Sequence, residues 1–107
     1  MTEQGAELVS KPMKMARAYF TEGDKLLAII MDFLHNNAKV KGVTVIQGYT
    51  GFGRSGVLHS KETPLEATNL PLCVEFYDEV DTVDAVIAHL KEMFVPGHIV
   101  SWPVESD

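Results

Sequence analysis

Six consecutive residues, Gly51-Phe52-Gly53-Arg54-Ser55-Gly56, hold the clearest chemical potential in this chain. Glycines let a backbone turn through positive φ and bring N–H groups up against an anion. An arginine beside them adds a planar fork that fits a phosphate or a carboxylate. The same run also suits a purely structural turn, so the anion site needs support from the elements around it. Four histidines, His35, His59, His89 and His98, are scattered singly and match no zinc-ligand spacing. His35 and His89 fall at solvated helix positions, whereas His59 and His98 lie in connecting segments and are candidates for lining a cleft. Glu75, Asp78, Glu79, Asp81 and Asp84 cluster where a helix is expected to start, and carboxylates there stabilise the helix dipole. No nucleophile stands with a base and an orienting acid at a known spacing. The expectation is a binding protein with no catalytic residues and no resident metal, rather than an enzyme.

The totals narrow the classes further. A chain of 107 residues makes one domain. Its formal net charge of −6 lacks the basic surplus that nucleic acid or an anionic membrane surface would select, so no nucleic-acid partner is expected. Cys73 is the single cysteine and sits in an apolar run, which reads as a buried thiol. Neither a signal peptide nor a run of ~20 apolar residues is visible, and a cytoplasmic location follows as the expectation.

The elements that must position the glycine-rich run alternate in type. Residues 1–12 read as a polar tail, and 13–105 as the folded domain. A first strand from about Lys14 to Phe20 sets Ala16, Ala18 and Phe20 on one face, with Met15, Arg17 and Tyr19 on the other. Thr21 or Asp24 is placed to cap a helix from Lys25 to about Asn37, whose stripe is Leu26, Leu27, Ile30, Phe33 and Leu34. Val43 to Ile46 form a β-branched strand running into the glycine-rich segment. A long loop, residues 54–71, follows, and loops beyond ~12–15 residues are commonly functional. Leu72 to Tyr77 make the third strand. Asp81 or Thr82 is placed to cap a second helix with Val83, Val86, Ile87, Leu90 and Phe94 on one face, and Ile99 to Val104 close the order. This is βαββαβ: an α+β, ferredoxin-like fold with a four-stranded antiparallel sheet and both helices on one face.

Both helices on one face leave the other uncovered, yet the strands are apolar on both sides. Trp102, Tyr77 and Tyr19 would lie on the uncovered face, a patch too large for a monomer to leave in water. Burial against further copies of the chain is the expected resolution.

From Lys14 to Val104 the chain resembles the PII-like signalling proteins, in particular their small transporter-associated branch. The resemblance rests on Gly42-Val43-Thr44-Val45, on Gly51-Phe52-Gly53 with Arg54, and on Asn69-Leu70-Pro71-Leu72-Cys73-Val74-Glu75 leading into the third strand. It implies a homotrimer that binds a small effector in clefts between subunits and controls a target, such as a membrane transporter or an enzyme, through a flexible T-loop. Carried onto this chain, the ligand-binding positions are Gly51, Phe52, Gly53 and Arg54, with Ser55 and Gly56 beside them. The chain departs from PII proteins at one place. Where those proteins have a second glycine-rich phosphate loop with a lysine, it has only Phe94-Val95-Pro96-Gly97-His98. An adenine nucleotide, a smaller anion or no nucleotide at all remain open as effectors. No tyrosine lies between Arg54 and Pro71, so modification of a loop tyrosine is not available.

Two other readings share parts of this pattern. A trimer resembling the CutA proteins would bind a divalent metal through histidine and carboxylate ligands. A small dimeric α+β-barrel enzyme would need an apolar pocket between sheet and helices, and would leave the glycine-rich loop unexplained.

Overall fold

The computed structural model describes residues 10–53, 56–60, 69–94 and 97–107. Six strands and two helices follow one another along the described chain: β1 (Lys11–Thr21), α1 (Leu27–Asp32), β2 (Gly42–Gln47), β3 (Thr50–Gly51), β4 (His59–Ser60), β5 (Pro71–Asp78), α2 (Val80–Leu90) and β6 (Ile99–Ser106). The four long strands form one sheet in the order β2-β5-β1-β6, antiparallel at every contact. With the two helices this is the expected ferredoxin-like α+β architecture.

Register explains why one face is core. Ala16 pairs with Phe76, Ala18 with Val74 and Phe20 with Leu72, and side chains two apart on a strand share a face. All six are buried, and the two helices close over that face with Ile30, Leu34, Val83, Val86 and Leu90. Small alanines on the central strand let the helices approach, and Phe76 and Leu90 fill the space between. On α2 the buried Val83, Val86 and Leu90 sit at i, i+3 and i+7, the spacing of one helical face. Lys14 adds an exposed ion pair to Asp84 at 2.6 Å, joining β1 to α2.

Several local details differ from the sequence reading. β1 begins at Lys11 and includes Pro12. Pairing with β5 starts only at Lys14, so at Pro12 the strand has β6 as its single neighbour and the missing N–H breaks no ladder. Thr21 and Asp24 do not cap α1. The Asp24 carboxylate accepts from the Thr21 backbone N–H at 2.9 Å and its hydroxyl at 3.2 Å, which closes a 3-10 turn over Glu22–Asp24. Lys25 then takes a left-handed conformation, φ 56°, and α1 starts afresh with Leu26 as its N-cap. Past Asp32 the helix widens into a π-helical segment, Phe33–Ala38, which contains the two asparagines, poor helix formers, and ends at Lys39 with φ 53°. α2 is entered through Glu79, not Asp81 or Thr82. The nearly buried Asp78 accepts from the Glu79 N–H at 2.6 Å and from the Lys41 N–H at 3.1 Å, and so fixes both the strand–helix junction and the start of β2.

Candidate functional site

Because the four long strands are antiparallel, the ends of β1 and β2 and the starts of β5 and β6 lie at one end of the sheet. The described parts of the glycine-rich run, both feet of the loop after it, and His98 all lie at that end. β2 ends at Gln47, and the chain turns through Gly48 and Tyr49 into β3, a two-residue strand in which Gly51 pairs with His59 of β4 and Thr50 with Ser60. Phe52 follows, 73% exposed. Gly53 accepts a turn bond from the Gly56 N–H at 2.9 Å, and Gly56 has φ 77°, a conformation that favours glycine. A Cβ on Gly53 or Gly56 would meet no described atom within 4 Å. Arg54 and Ser55 lie outside the described residues, as does most of the 54–71 loop.

The far foot of that loop returns to the same spot. The Gly48 N–H donates to Pro71 O at 2.7 Å. The Gly23 N–H donates to the Asn69 Oδ1 at 2.6 Å, and Glu22 and Leu70 are joined through Glu22 N–H to Leu70 O at 3.0 Å. The Glu22 carboxylate accepts from the Gln47 side chain at 2.6 Å and from the Leu70 N–H at 3.3 Å. The turn after β1 therefore holds both feet of the loop. Sequence reasoning assigned Asn69-Leu70-Pro71 to a resemblance without giving it a job; the job is this joint.

His98 is half-buried, follows Gly97 (φ 94°), and its carbonyl accepts from the Tyr19 N–H at 2.9 Å. It shares the sheet end with the glycine-rich run but not the edge. β2 and β6 are the two outer strands, three strand spacings or about 14 Å apart. Within one protomer, the two halves of the sequence-based site are therefore separated by the width of the sheet.

A family model described as DUF190, Uncharacterized ACR, COG1993, matches residues 15–106. The chain belongs to the DUF190 family. Solved structures place this DUF190 chain on a PII-like fold. A nitrogen regulatory PII-like protein, CPII from Thiomonas intermedia K12, solved with ADP, AMP and bicarbonate, superposes with a TM-score of 0.72 at 15% identity, over 92% of this chain and 91% of that one. Its apo form gives 0.59 at 14% identity, over 91% of each chain. A candidate PII-like signalling protein from Thermus thermophilus gives 0.60 at 14% identity, over 92% of this chain and 90% of that one.

The DUF190 chain has a second cluster, on the sheet face away from the helices. Arg17 on β1 stands directly opposite Glu75 on β5, with Nε 2.7 Å from Oε2. Its Nη1 makes a long contact of 3.5 Å to the Tyr19 hydroxyl, and its Cζ lies 5.6 Å from the Trp102 ring centroid. The Tyr19 hydroxyl and the Glu75 carboxylate hold the guanidinium above its ordinary pKa. Cys73 pairs with Tyr19 across the same strands, and burial pushes its thiol pKa up. Trp102 is 37% exposed and Tyr19 42%, so the apolar face expected from alternation is present and uncovered in the protomer. Sequence patterning put Arg17 and Tyr19 on one face; their partners depended on register. Among the described residues no three His, Cys, Asp or Glu side chains converge as metal ligands, and no helix is long and apolar enough to cross a membrane.

Proposed function

We propose that this DUF190 protein is a PII-like regulator whose effector binds between subunits of a homotrimer and whose loop from about Arg54 to Pro71 engages a target, such as a membrane transporter. The observation that carries this reading is the separation of the site. Gly51, Phe52, Gly53, Gly56 and His59 belong to the β2 edge, and His98 to the β6 edge, at the same end of one sheet. One small ligand reaches both edges only where the β2 edge of one copy meets the β6 edge of another. Arg54 and Ser55, next in sequence to these glycines, would supply the guanidinium fork and a hydroxyl to the same ligand. The uncovered sheet face gives the copies a reason to meet.

The chemistry gathered there suits an anion: a glycine-rich backbone turn, an arginine, and two histidines. An adenine nucleotide and a small carboxylate-like anion are both compatible with it. The Thiomonas protein of the same fold, solved with ADP, AMP and bicarbonate, supports trying these ligands first. The effector acts as a signal and no resident cofactor is needed.

Light scattering followed by thermal shift tests the reading. The expected mass is three times the 11.8 kDa chain. A ligand at 100 times its dissociation constant, binding only the native state, adds about 2.7 kcal/mol, which a melting curve resolves. ADP, AMP, ATP and bicarbonate are screened against the wild type, Arg54→Ala and His98→Ala. Stabilisation lost in both variants supports the intersubunit cleft. A trimer indifferent to every one of these ligands, or equal stabilisation of Arg54→Ala, refutes the assignment of the glycine-rich run as an anion site.

A further inference from the structure

The face away from the helices is largely apolar, with Lys11, Thr44 and Ser106 toward its rim and one ion pair at its centre. On β1 from Met13 to Thr21, and on the strands beside it, Arg17 and Glu75 are the only charged side chains among the described residues pointing away from the helices. We propose that this pair is the polar key of the contact between copies of this chain: in the assembly Arg17 of one protomer also meets Glu75 of another, and this fixes how the copies are turned on one another. The inference rests on the reading above that the chain self-associates through this face.

Charge selects the occupant. The chain carries a net −6, so two copies repel over most of their surfaces. At the centre of this face, from Met13 onward along β1, one positive and one negative side chain cancel, +1 − 1 = 0. Lys11 at the start of the strand is the one further charge, so identical copies meet there with far less repulsion than over the acidic remainder. A strongly basic or acidic partner would find no complement. Geometry then sets the orientation. Within the protomer Arg17 uses Nε for Glu75 and one Nη1 proton for Tyr19. A guanidinium has five N–H donors, so three remain beyond these two contacts, and one carboxylate oxygen of Glu75, Oε1, remains beyond the Oε2 contact. Once the face is covered these groups need partners, because a buried, unmet charged group is strongly destabilising. At the centre of an identical face, only another Arg17–Glu75 pair offers charged complements. Arrangements that bring the pairs together satisfy them; arrangements that press a pair onto Val100 or Ile46 leave charge stranded. A single polar key on an apolar seam is a known way to specify register and copy number.

Charge exchange tests this by sedimentation and native mass measurement, with circular dichroism to establish folding. Arg17→Glu places two carboxylates side by side on the face, and its protomer–protomer dissociation constant is expected to rise at least about 100-fold, as for breaking a buried ion pair. The double exchange Arg17→Glu/Glu75→Arg keeps a pair in each protomer and is expected to self-assemble at the wild-type mass. Mixed with wild type, after dissociation and reassociation, it is expected to sort into separate assemblies, since cross-protomer contacts would set like charges together. This second variant decides the matter even where the first folds poorly. Free mixing of the exchanged and wild-type chains, or wild-type assembly by a folded Arg17→Glu, overturns the key while leaving self-association intact. A wild-type mass of one chain at every concentration overturns both.

Discussion

Replacing Asn69 with alanine isolates the joint that holds the loop's far foot. Its Oδ1 accepts the Gly23 N–H at 2.6 Å, linking residues 46 positions apart. Alanine removes the carboxamide that supplies this acceptor, while Glu22 N–H to Leu70 O and Gly48 N–H to Pro71 O persist as parallel ties. A typical intramolecular hydrogen bond contributes about 0.5–1.5 kcal/mol net. Gly23 is exposed, so water takes over its N–H and the loss falls at the lower end of that range. For a domain of this size about 1 kcal/mol corresponds to roughly 4 °C in Tm, so a drop of about 2–4 °C is expected. The more specific readout is amide exchange: the Gly23 N–H loses its protection, while amides of the β1–β5 ladder keep theirs. Asn69→Asp retains an oxygen acceptor and restores the protection. Unchanged exchange at Gly23 in Asn69→Ala would refute the joint, since the bond would then not persist in solution.

Other expectations follow from the core and the open face. Phe76→Ala removes a fully buried ring at the centre of the core and is expected to cost about 3–5 kcal/mol, measured by urea unfolding. Asp84→Ala breaks the exposed bond to Lys14 and is expected to shift stability by less than about 1 kcal/mol, with the small effect shrinking in salt. Burial raises the Cys73 thiol pKa, which favours the neutral thiol in the folded state. Its contribution to stability is therefore full below the unfolded thiol value of about 8.5 and is lost as pH rises through the higher folded value. Alkylation of native Cys73 should accelerate only at a pH above that of a free thiol, and, under the proposed self-association, further on dilution to the single chain.

The sheet's core face was legible because alternation is a local signal: Ala16, Ala18 and Phe20 declare one side of β1, and Leu72, Val74 and Phe76 the same side of β5. The stripe on α2 was legible for the same reason, at helical period. The start of β1 was not, since Pro12 reads as a break unless the strand is known to have one neighbour there. Capping at Thr21 was read correctly as chemistry and wrongly as place. The left-handed Lys25 separates the capped turn from α1, and no residue type there announces it. The two-residue strands β3 and β4 are too short to show any period. Glycines and histidines could be named as site candidates by type, but their division between opposite sheet edges follows from strand order. The contacts of Glu22, Gln47 and Asn69 span 25 to 48 positions, and the Arg17–Glu75 pair spans 58, so neither leaves a local trace.

The bond from the Gly48 N–H to Pro71 O brings the two ends of the intervening segment to one point on the sheet's rim. Closing a loop whose ends already meet has an entropy that grows only with the logarithm of its length, about 0.6 kcal/mol for each doubling. Added length between those ends is thus only weakly coupled to the stability of the sheet beneath. Such a chain can lengthen or shorten between those ends while its core stays the same. For the same reason, chain length added between Gly48 and Pro71, outside the paired strands, is expected to cost the sheet beneath little stability.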